Sequence, residues 1–127
     1  MTEAEDSLPV YAVRVASNFA AQSDAATDWL LENVNLSSAE DWFAGLQNAK
    51  SALATLPQRC ATASENKVYQ KKHPGPPLRV SLYRHGRSTW RILFTIHEVE
   101  GGDQAYVKLH QLRNAAQKPM TKWPDER

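Results

Sequence analysis

Basic, histidine and tyrosine side chains recur at every second position in the C-terminal half of the chain. Alternate residues of a β-strand point to the same face, so three predicted strands would collect these groups on one side of a sheet. The set contains no acidic residue and consists of Arg79, Ser81, Tyr83, Arg91, His97, Tyr106, Lys108 and His110. Arginine can clamp a phosphate with two hydrogen bonds, and tyrosine or histidine can stack on a base. The pattern predicts an RNA-binding face; ordinary solvated positions on the wet side of a half-buried sheet are the simpler alternative.

The same residue types meet the chemical needs of RNA cleavage by the 2′-hydroxyl, which are a base, an acid and a stabiliser of the charged intermediate. His110 and Tyr106 are expected to exchange protons. Arg79, Arg91 and Arg113 are expected to stabilise the negative charge, which completes the predicted catalytic set. Further contacts to RNA are predicted from Tyr83, Arg84, Lys108 and Lys118. An acidic or amphipathic peptide would suit the same face equally well.

Other site chemistries lack their motifs. The sequence has no Walker loop, no GxGxxG and no HExxH. The four histidines lack the short spacing of a zinc site, and the single cysteine, Cys60, excludes an intrachain disulfide. We therefore predict neither a metal nor a cofactor.

Charge is distributed unevenly along the 127 residues, although the net charge is only +1. Residues 1–66 carry 3 basic and 9 acidic side chains, whereas residues 67–127 carry 12 basic and 5 acidic ones. A basic half can attract a polyanion or an acidic protein segment. The acidic N-terminus does not resemble a signal peptide and no apolar run is long enough for a membrane span, so a cytoplasmic location is expected.

The pattern of apolar residues predicts the elements that would position the basic face. A strand is expected at 10–16, helices at 18–34 and 37–56, an irregular segment at 57–76, and strands at 78–84, 89–98 and 105–113. Tight connections are predicted at 85–88 and 100–103. The expected fold is α+β, of order βααβββ, with an antiparallel sheet packed on a helical hairpin. The domain would span 10–120, between an acidic extension at 1–9 and a tail at 121–127.

The second helix is the element with the clearest pattern. Ser37 and Glu40 form a capping-box motif that would begin the helix, and Pro57 would end it. Apolar residues at helical spacing, together with one face of each strand, predict a single core in which Leu78, Val80 and Leu82 face the helices. The residues expected to be most buried are Trp42, Phe43, Leu46, Leu53, Ile92, Phe94 and Val107.

The order of these pieces resembles the RelE/ParE toxin superfamily over about residues 10–120. The resemblance rests on a Trp and Leu stripe that ends in Leu56-Pro57, and on the Cys-x₄-Glu-Asn segment at 60–66. It continues with Leu78-Arg79, with the Trp-Arg-Ile-Leu-Phe-Thr-Ile segment at 90–96, and with the closing segment at 109–119.

The resemblance implies the toxin of a type II toxin–antitoxin (plasmid stabilization) system, with an antitoxin that wraps the toxin. RelE-like members cleave mRNA at the ribosome, whereas ParE-like members inhibit DNA gyrase. Arg79, Arg91 and Arg113 match recurring arginines of the family, but Asn114 and Gln117 depart from its closing His and Arg. We expect mRNA cleavage, with gyrase inhibition through the helical hairpin and tail, or an inactive binding module, as alternatives. We also expect the antitoxin to place carboxylates against the basic face.

Overall fold

The computed structural model describes residues 10–98 and 104–125. These ranges form an α+β fold in which two long helices cover one face of a five-stranded sheet. Its elements are β1 (Ala12–Val15), α1 (Ser17–Asn33), α2 (Leu36–Ala52), β2 (Ala61–Thr62), α3 (Asn66–Lys72), β3 (Arg79–His85), β4 (Ser88–His97) and β5 (Tyr106–Asn114). Within the described ranges, no helix combines the length and the apolar character needed to cross a membrane.

The sheet has the strand order β1-β5-β4-β3-β2 and is mixed rather than antiparallel. Neighbours among β2 to β5 are antiparallel, but β1 pairs with β5 in parallel. The prediction of a wholly antiparallel sheet is therefore wrong, because the alternation within a strand does not record which neighbour it pairs with or in which direction. The predicted order βααβββ also lacked β2 and α3, which are too short to show a period.

The main core lies between the helical hairpin and the sheet. Trp42, Leu46, Ile92, Phe94 and Val107 are almost fully buried, and Leu53 is also buried, as predicted. Phe43 is 43% exposed, so its assignment to the core is wrong. A residue next to Trp42 lies about 100° away from it around the helix. Position 43 therefore falls outside the buried stripe.

Helix α2 begins earlier than the capping-box motif predicted. Asn35, in an extended conformation, is the N-cap residue, and its side-chain oxygen accepts a hydrogen bond from the amide of Ser38 at 2.8 Å. Ser37 thus lies inside the helix. Asparagine caps helices as well as serine does. The sequence therefore has two possible N-cap residues, Asn35 and Ser37, and the helix begins after Asn35.

A second, smaller core lies on the opposite face of the sheet, where a basic RNA-binding face and no apolar core was predicted. Helix α3 and the chain after β5 cover this face, and Trp123 in the predicted tail is 1% exposed. The buried members of this core are Ala63, Tyr69, Leu78, Leu93 and Trp123.

The two faces of β3 are consequently the reverse of those predicted. Leu78 and the partly buried Val80 belong to the second core, whereas Tyr83 pairs with Trp90 and packs in the main core. Leu82, which was predicted to face the helices, is 52% exposed. Strand β3 has apolar residues on both faces, and a period of two does not tell which face meets the helices.

A β-bulge in β5 sets the direction of the side chains that follow it. Leu93 pairs with Gln111 while the next residue, Phe94, pairs with Leu109, which leaves His110 as the extra residue. Leu109 and Leu112 therefore both contribute to the main core, although they are three positions apart in a strand. The turn predicted at 85–88 is present, and Gly86 provides its positive φ of 58°. The loop predicted at 100–103 lies outside the described residues.

Candidate functional site

A cleft of about 500 Å³ opens on the second face of the sheet, between α3 with the loop after it and the adjoining ends of β4 and β5. We call it the basic cleft. Its described lining is Tyr69, Lys72, His73, Pro74, Pro76, His97, Tyr106, Lys108 and His110. None of these residues is acidic. At the rim, the exposed Lys72 pairs with Asp125 at 3.1 Å.

Tyr106 is held between two basic residues of the neighbouring strands. Its register partner in β4, His97, stacks on its ring with a centroid distance of 4.5 Å and an interplanar angle of 8°. Strand β1, on the other side of β5, provides Arg14, whose guanidinium carbon lies 3.9 Å from the ring centroid. The parallel pairing of β1 with β5 therefore places an additional cation against the ring of Tyr106, next to the cleft.

The hydroxyl of Thr95 joins two histidines beneath this cleft. Its Oγ1 lies 2.7 Å from Nε2 of His97 and 2.8 Å from Nε2 of His110. Thr95 and His110 are buried, whereas His97 is partly exposed. The bulge accounts for this arrangement, because it is His110, the extra residue of β5, that reaches the hydroxyl.

The surroundings of His97 favour its neutral form. Desolvation lowers the pKa of His97, and the nearby His110, Lys108 and Arg14 lower it further. A neutral imidazole at the edge of a basic cleft can accept a proton at physiological pH. Among the described residues, no group of three His, Cys, Asp or Glu side chains has an arrangement that would hold a metal ion.

Of the predicted site residues, the cleft brings together Tyr106, Lys108 and His110. Arg91 does not line the cleft. Its guanidinium forms a two-point ion pair with the buried Glu65. The ion pair gives Arg91 a structural role, and its guanidinium is already engaged when no phosphate is bound.

Arg79 and Tyr83 lie on the helix side of the sheet, not on the predicted basic face. Arg79 donates to the backbone oxygen of Cys60 at 2.8 Å. Tyr83 is buried, and its hydroxyl donates to the backbone oxygen of Trp42 at 2.7 Å. The grouping of these two residues with the cleft residues is wrong, because the register of β3 turns its odd-numbered positions toward the helices.

Arg113 lies on the same face as Arg91, at the far end of β5 from Tyr106. The two residues are seven positions apart along the strand, or roughly 20 Å. Arg113 donates to the backbone oxygen of Lys118 at 2.8 Å. Arg84 and Lys118 are exposed, and neither lines the basic cleft. Their roles in RNA binding stay predictions.

Several residues at or next to the cleft were not individually named as catalytic or RNA-binding. Alternation placed His97 on the predicted basic face without a separate role, and Thr95 shares that face of β4. Arg14 and His73 could not be found in this way, because their proximity depends on the pairing of β1 and on the packing of α3.

Comparison of the chain with protein-family models, with curated proteins and with solved structures finds no match. The resemblance to RelE/ParE toxins thus rests on the residues quoted for it.

Proposed function

We propose that this protein is an endoribonuclease that needs no metal ion and serves as the toxin of a toxin–antitoxin pair. The observation that carries the proposal is the basic cleft, whose described lining contains three histidines, two tyrosines and two lysines and no acidic residue. A concave site that combines cations with a group able to take a proton suits a phosphodiester.

The chemistry is a transfer of the phosphorus from one oxygen of the RNA to another. The 2′-oxygen bonds to phosphorus as its proton passes to His97, and the bond from phosphorus to the 5′-oxygen breaks as that oxygen takes a proton from Tyr106 or water. Lys108 and Arg14 hold the phosphate and stabilise its developing charge. This assignment keeps the predicted roles of Tyr106 and Lys108, makes His97 the base in place of His110, and assigns no catalytic step to Arg79, Arg91 or Arg113.

The toxin role is supported by the resemblance and by the charge of the C-terminal half. In this proposal the protein acts in the cytoplasm on mRNA at the ribosome, and an antitoxin blocks it by laying carboxylates across the basic cleft. Such a complex should weaken as salt concentration rises, because screening reduces attraction between exposed charges.

The direct test measures cleavage of RNA by the purified protein in EDTA, and of cellular mRNA by primer extension after induction. His97→Ala and Lys108→Ala should each lower the rate by about 10²–10³, typical of lost acid–base or charge-stabilising groups. Lys71→Ala, an exposed lysine of α3 outside the cleft lining, is the matched control and should retain activity. Arg113→Ala distinguishes the cleft from the predicted arginine site, since activity should persist if the cleft alone is catalytic.

A second candidate function is inhibition of DNA gyrase without catalysis. Its support is a set of large apolar side chains that α1, α2 and their connection leave exposed: Trp29, Leu31, Val34, Leu36 and Phe43. Exposed apolar groups of this kind suit a protein partner. Growth arrest with intact mRNA and altered plasmid supercoiling would exclude the nuclease and favour this function, and Trp29→Ala should then relieve the arrest.

A further inference from the structure

We infer that Thr95 couples His97 and His110 into one proton-sharing pair, in which the buried histidine takes up the charge that the cleft histidine acquires. Thr95 is then a positioning residue of the cleft. The catalytic use of the pair rests on the proposed nuclease function, whereas the coupling itself does not.

The hydrogen-bond distances that support the coupling are short, and the Thr95 hydroxyl is buried. Both Nε2 atoms lie within 2.8 Å of the same oxygen, and Thr95 is 0% exposed. Strand β4 fixes Thr95 and His97 on one face two positions apart, and the bulge of β5 brings His110 to the third corner. His97 would have to break its ring stack on Tyr106 to leave the hydroxyl, and His110 is 2% exposed and packs against the rings of Tyr69 and Trp123.

The single proton of the hydroxyl imposes opposite roles on the two rings. When Oγ1 donates to one Nε2, that nitrogen must be unprotonated, and the other ring donates its own Nε2 proton to Oγ1. Two neutral rings in this arrangement are therefore different tautomers, one protonated at Nε2 and the other at Nδ1. Since Thr95 occupies Nε2 of His97, Nδ1 is the nitrogen that remains for exchange with a substrate.

This arrangement lets a charge move without any change in heavy-atom bonds. When His97 accepts the 2′-hydroxyl proton at Nδ1, its Nε2 proton can pass to Oγ1 while the hydroxyl proton passes to Nε2 of His110. The positive charge then lies on His110, which is 2% exposed and packs against the rings of Tyr69 and Trp123. The reverse transfer returns the charge to His97, which can then release its Nδ1 proton.

Many charged and polar groups surround His97, and they disfavour its charged form. Strand β5 presents Lys108 and His110, and desolvation together with these groups and Arg14 lowers the pKa of His97. Like charges so close to each other disfavour double protonation. The remaining groups that line this part of the cleft or stack on His97 are Tyr69, Lys72, His73 and Tyr106.

The test follows the histidine ring nitrogens of the whole protein by ¹⁵N NMR as a function of pH. In the wild type, above the pH at which both rings are neutral, one ring should be protonated at Nδ1 and the other at Nε2. Thr95→Val, which removes the hydroxyl and keeps the branched shape, should abolish this opposition, and Thr95→Ser should retain it. Thr89→Val, at a partly buried position of the same strand, is the control and should leave both rings unchanged.

Cleavage kinetics test the use of the pair. Thr95→Val should lower kcat by at least about tenfold and displace the pH–rate profile with KM little changed, and Thr95→Ser should restore most of the rate. The coupling is overturned if the wild-type rings are both protonated at Nε2, or if Thr95→Val leaves their tautomers unaltered. Altered tautomers with an unmoved pH–rate profile would overturn the catalytic use. A wild-type protein that cleaves no RNA would refute the nuclease proposal, and the NMR result would still decide the coupling.

Discussion

The carboxylate of Glu65 and the guanidinium of Arg91 form a two-point ion pair, with oxygen–nitrogen distances of 2.5 Å and 2.6 Å. The Glu65 side chain is fully buried and that of Arg91 is 16% exposed. Ser64 also donates to Glu65, at 2.9 Å. The pair joins the segment before α3 to the middle of β4. It therefore helps to hold in place the helix that forms one wall of the basic cleft.

Loss of this pair should destabilise the protein strongly. We expect Glu65→Ala to lower the free energy of unfolding by about 3–5 kcal/mol, because it leaves the guanidinium of Arg91 without its partner. Urea denaturation measures this change. Glu40→Gln, at an exposed position of α2, is the matched control and should change stability by less than about 0.5 kcal/mol. Equal effects of the two substitutions would show that the ion pair contributes nothing specific.

The same pair should make stability depend on pH in the acidic range. Desolvation alone would raise the pKa of Glu65, but the hydrogen bonds and charge of Arg91 and the bond from Ser64 outweigh it, so the pKa is lowered. A lowered pKa in the folded state stabilises the fold above the ordinary glutamate range, and this contribution disappears as pH falls through the folded-state pKa. Unfolding curves from pH 7 to pH 2 should show a loss that is smaller in Glu65→Gln.

Two apolar residues of α2, Leu46 and Phe43, should differ in their effects on stability. Leu46→Ala should lower the free energy of unfolding by about 2–5 kcal/mol, because Leu46 is 0% exposed in the main core. Phe43→Ala removes a larger side chain, but one that is 43% exposed, and should cost less than Leu46→Ala. Thermal unfolding of both variants checks the order, and the reverse order would mean that the helix packs through a different stripe.

The N-cap of α2 can be located by substitution. Asn35→Ala should cost about 1 kcal/mol, because the amide of Ser38 loses its acceptor. Ser37→Ala is the matched control, and should be within a few tenths of a kcal/mol of the wild type. Chemical denaturation distinguishes the two positions. A larger loss at Ser37 would restore the capping box that the sequence predicted.

Gly45 of α2 lies directly against the side chain of Tyr83 in β3. A methyl group at this position would overlap the hydroxyl of Tyr83, which is itself bonded to the backbone of Trp42. We expect Gly45→Ala to destabilise the fold by about 1–3 kcal/mol, despite the better helix propensity of alanine. A double-mutant cycle with Tyr83→Phe checks the cause, since removal of the hydroxyl should reduce the loss. Strict additivity in the cycle would exclude this contact as the cause.

Trp123 should contribute to stability although it follows the last strand. Trp123→Ala should cost about 3–5 kcal/mol, because the side chain is 1% exposed and packs edge-on against Tyr69 with a centroid distance of 5.0 Å. Trp29→Ala is a matched control, since Trp29 is 59% exposed. Calorimetry should show a fall in Tm for the first variant alone. Unaltered Tm in both would mean that the second core does not need this residue.

Local patterns were sufficient for the long elements of this protein. Amphipathic spacing predicted α1 and α2, and alternation predicted β3, β4 and β5 to within two residues at each end. The end of α2 was wrong, because the helix stops at Ala52 and not at the residue before Pro57. These elements repeat a short-range pattern many times, so the pattern survives whatever they pack against. Alternation also placed His97, Tyr106, Lys108 and His110 together, and these four residues line the basic cleft.

The faces, the register and the second core depended on contacts between residues far apart in the chain. Tyr83 lies on the helix side of the sheet and Leu78 on the other side, the reverse of what was predicted. Both sides of β3 are covered, one by α2 and the other by α3 with Trp123. The bulge that directs His110 toward Thr95 arises from pairing across two strands, and Arg14 reaches Tyr106 only through the parallel pairing of β1 with β5. Packing of this kind selects one arrangement among several that have the same local periodicity. The sequence therefore identified some residues of the cleft, but only the tertiary structure determined how they are arranged.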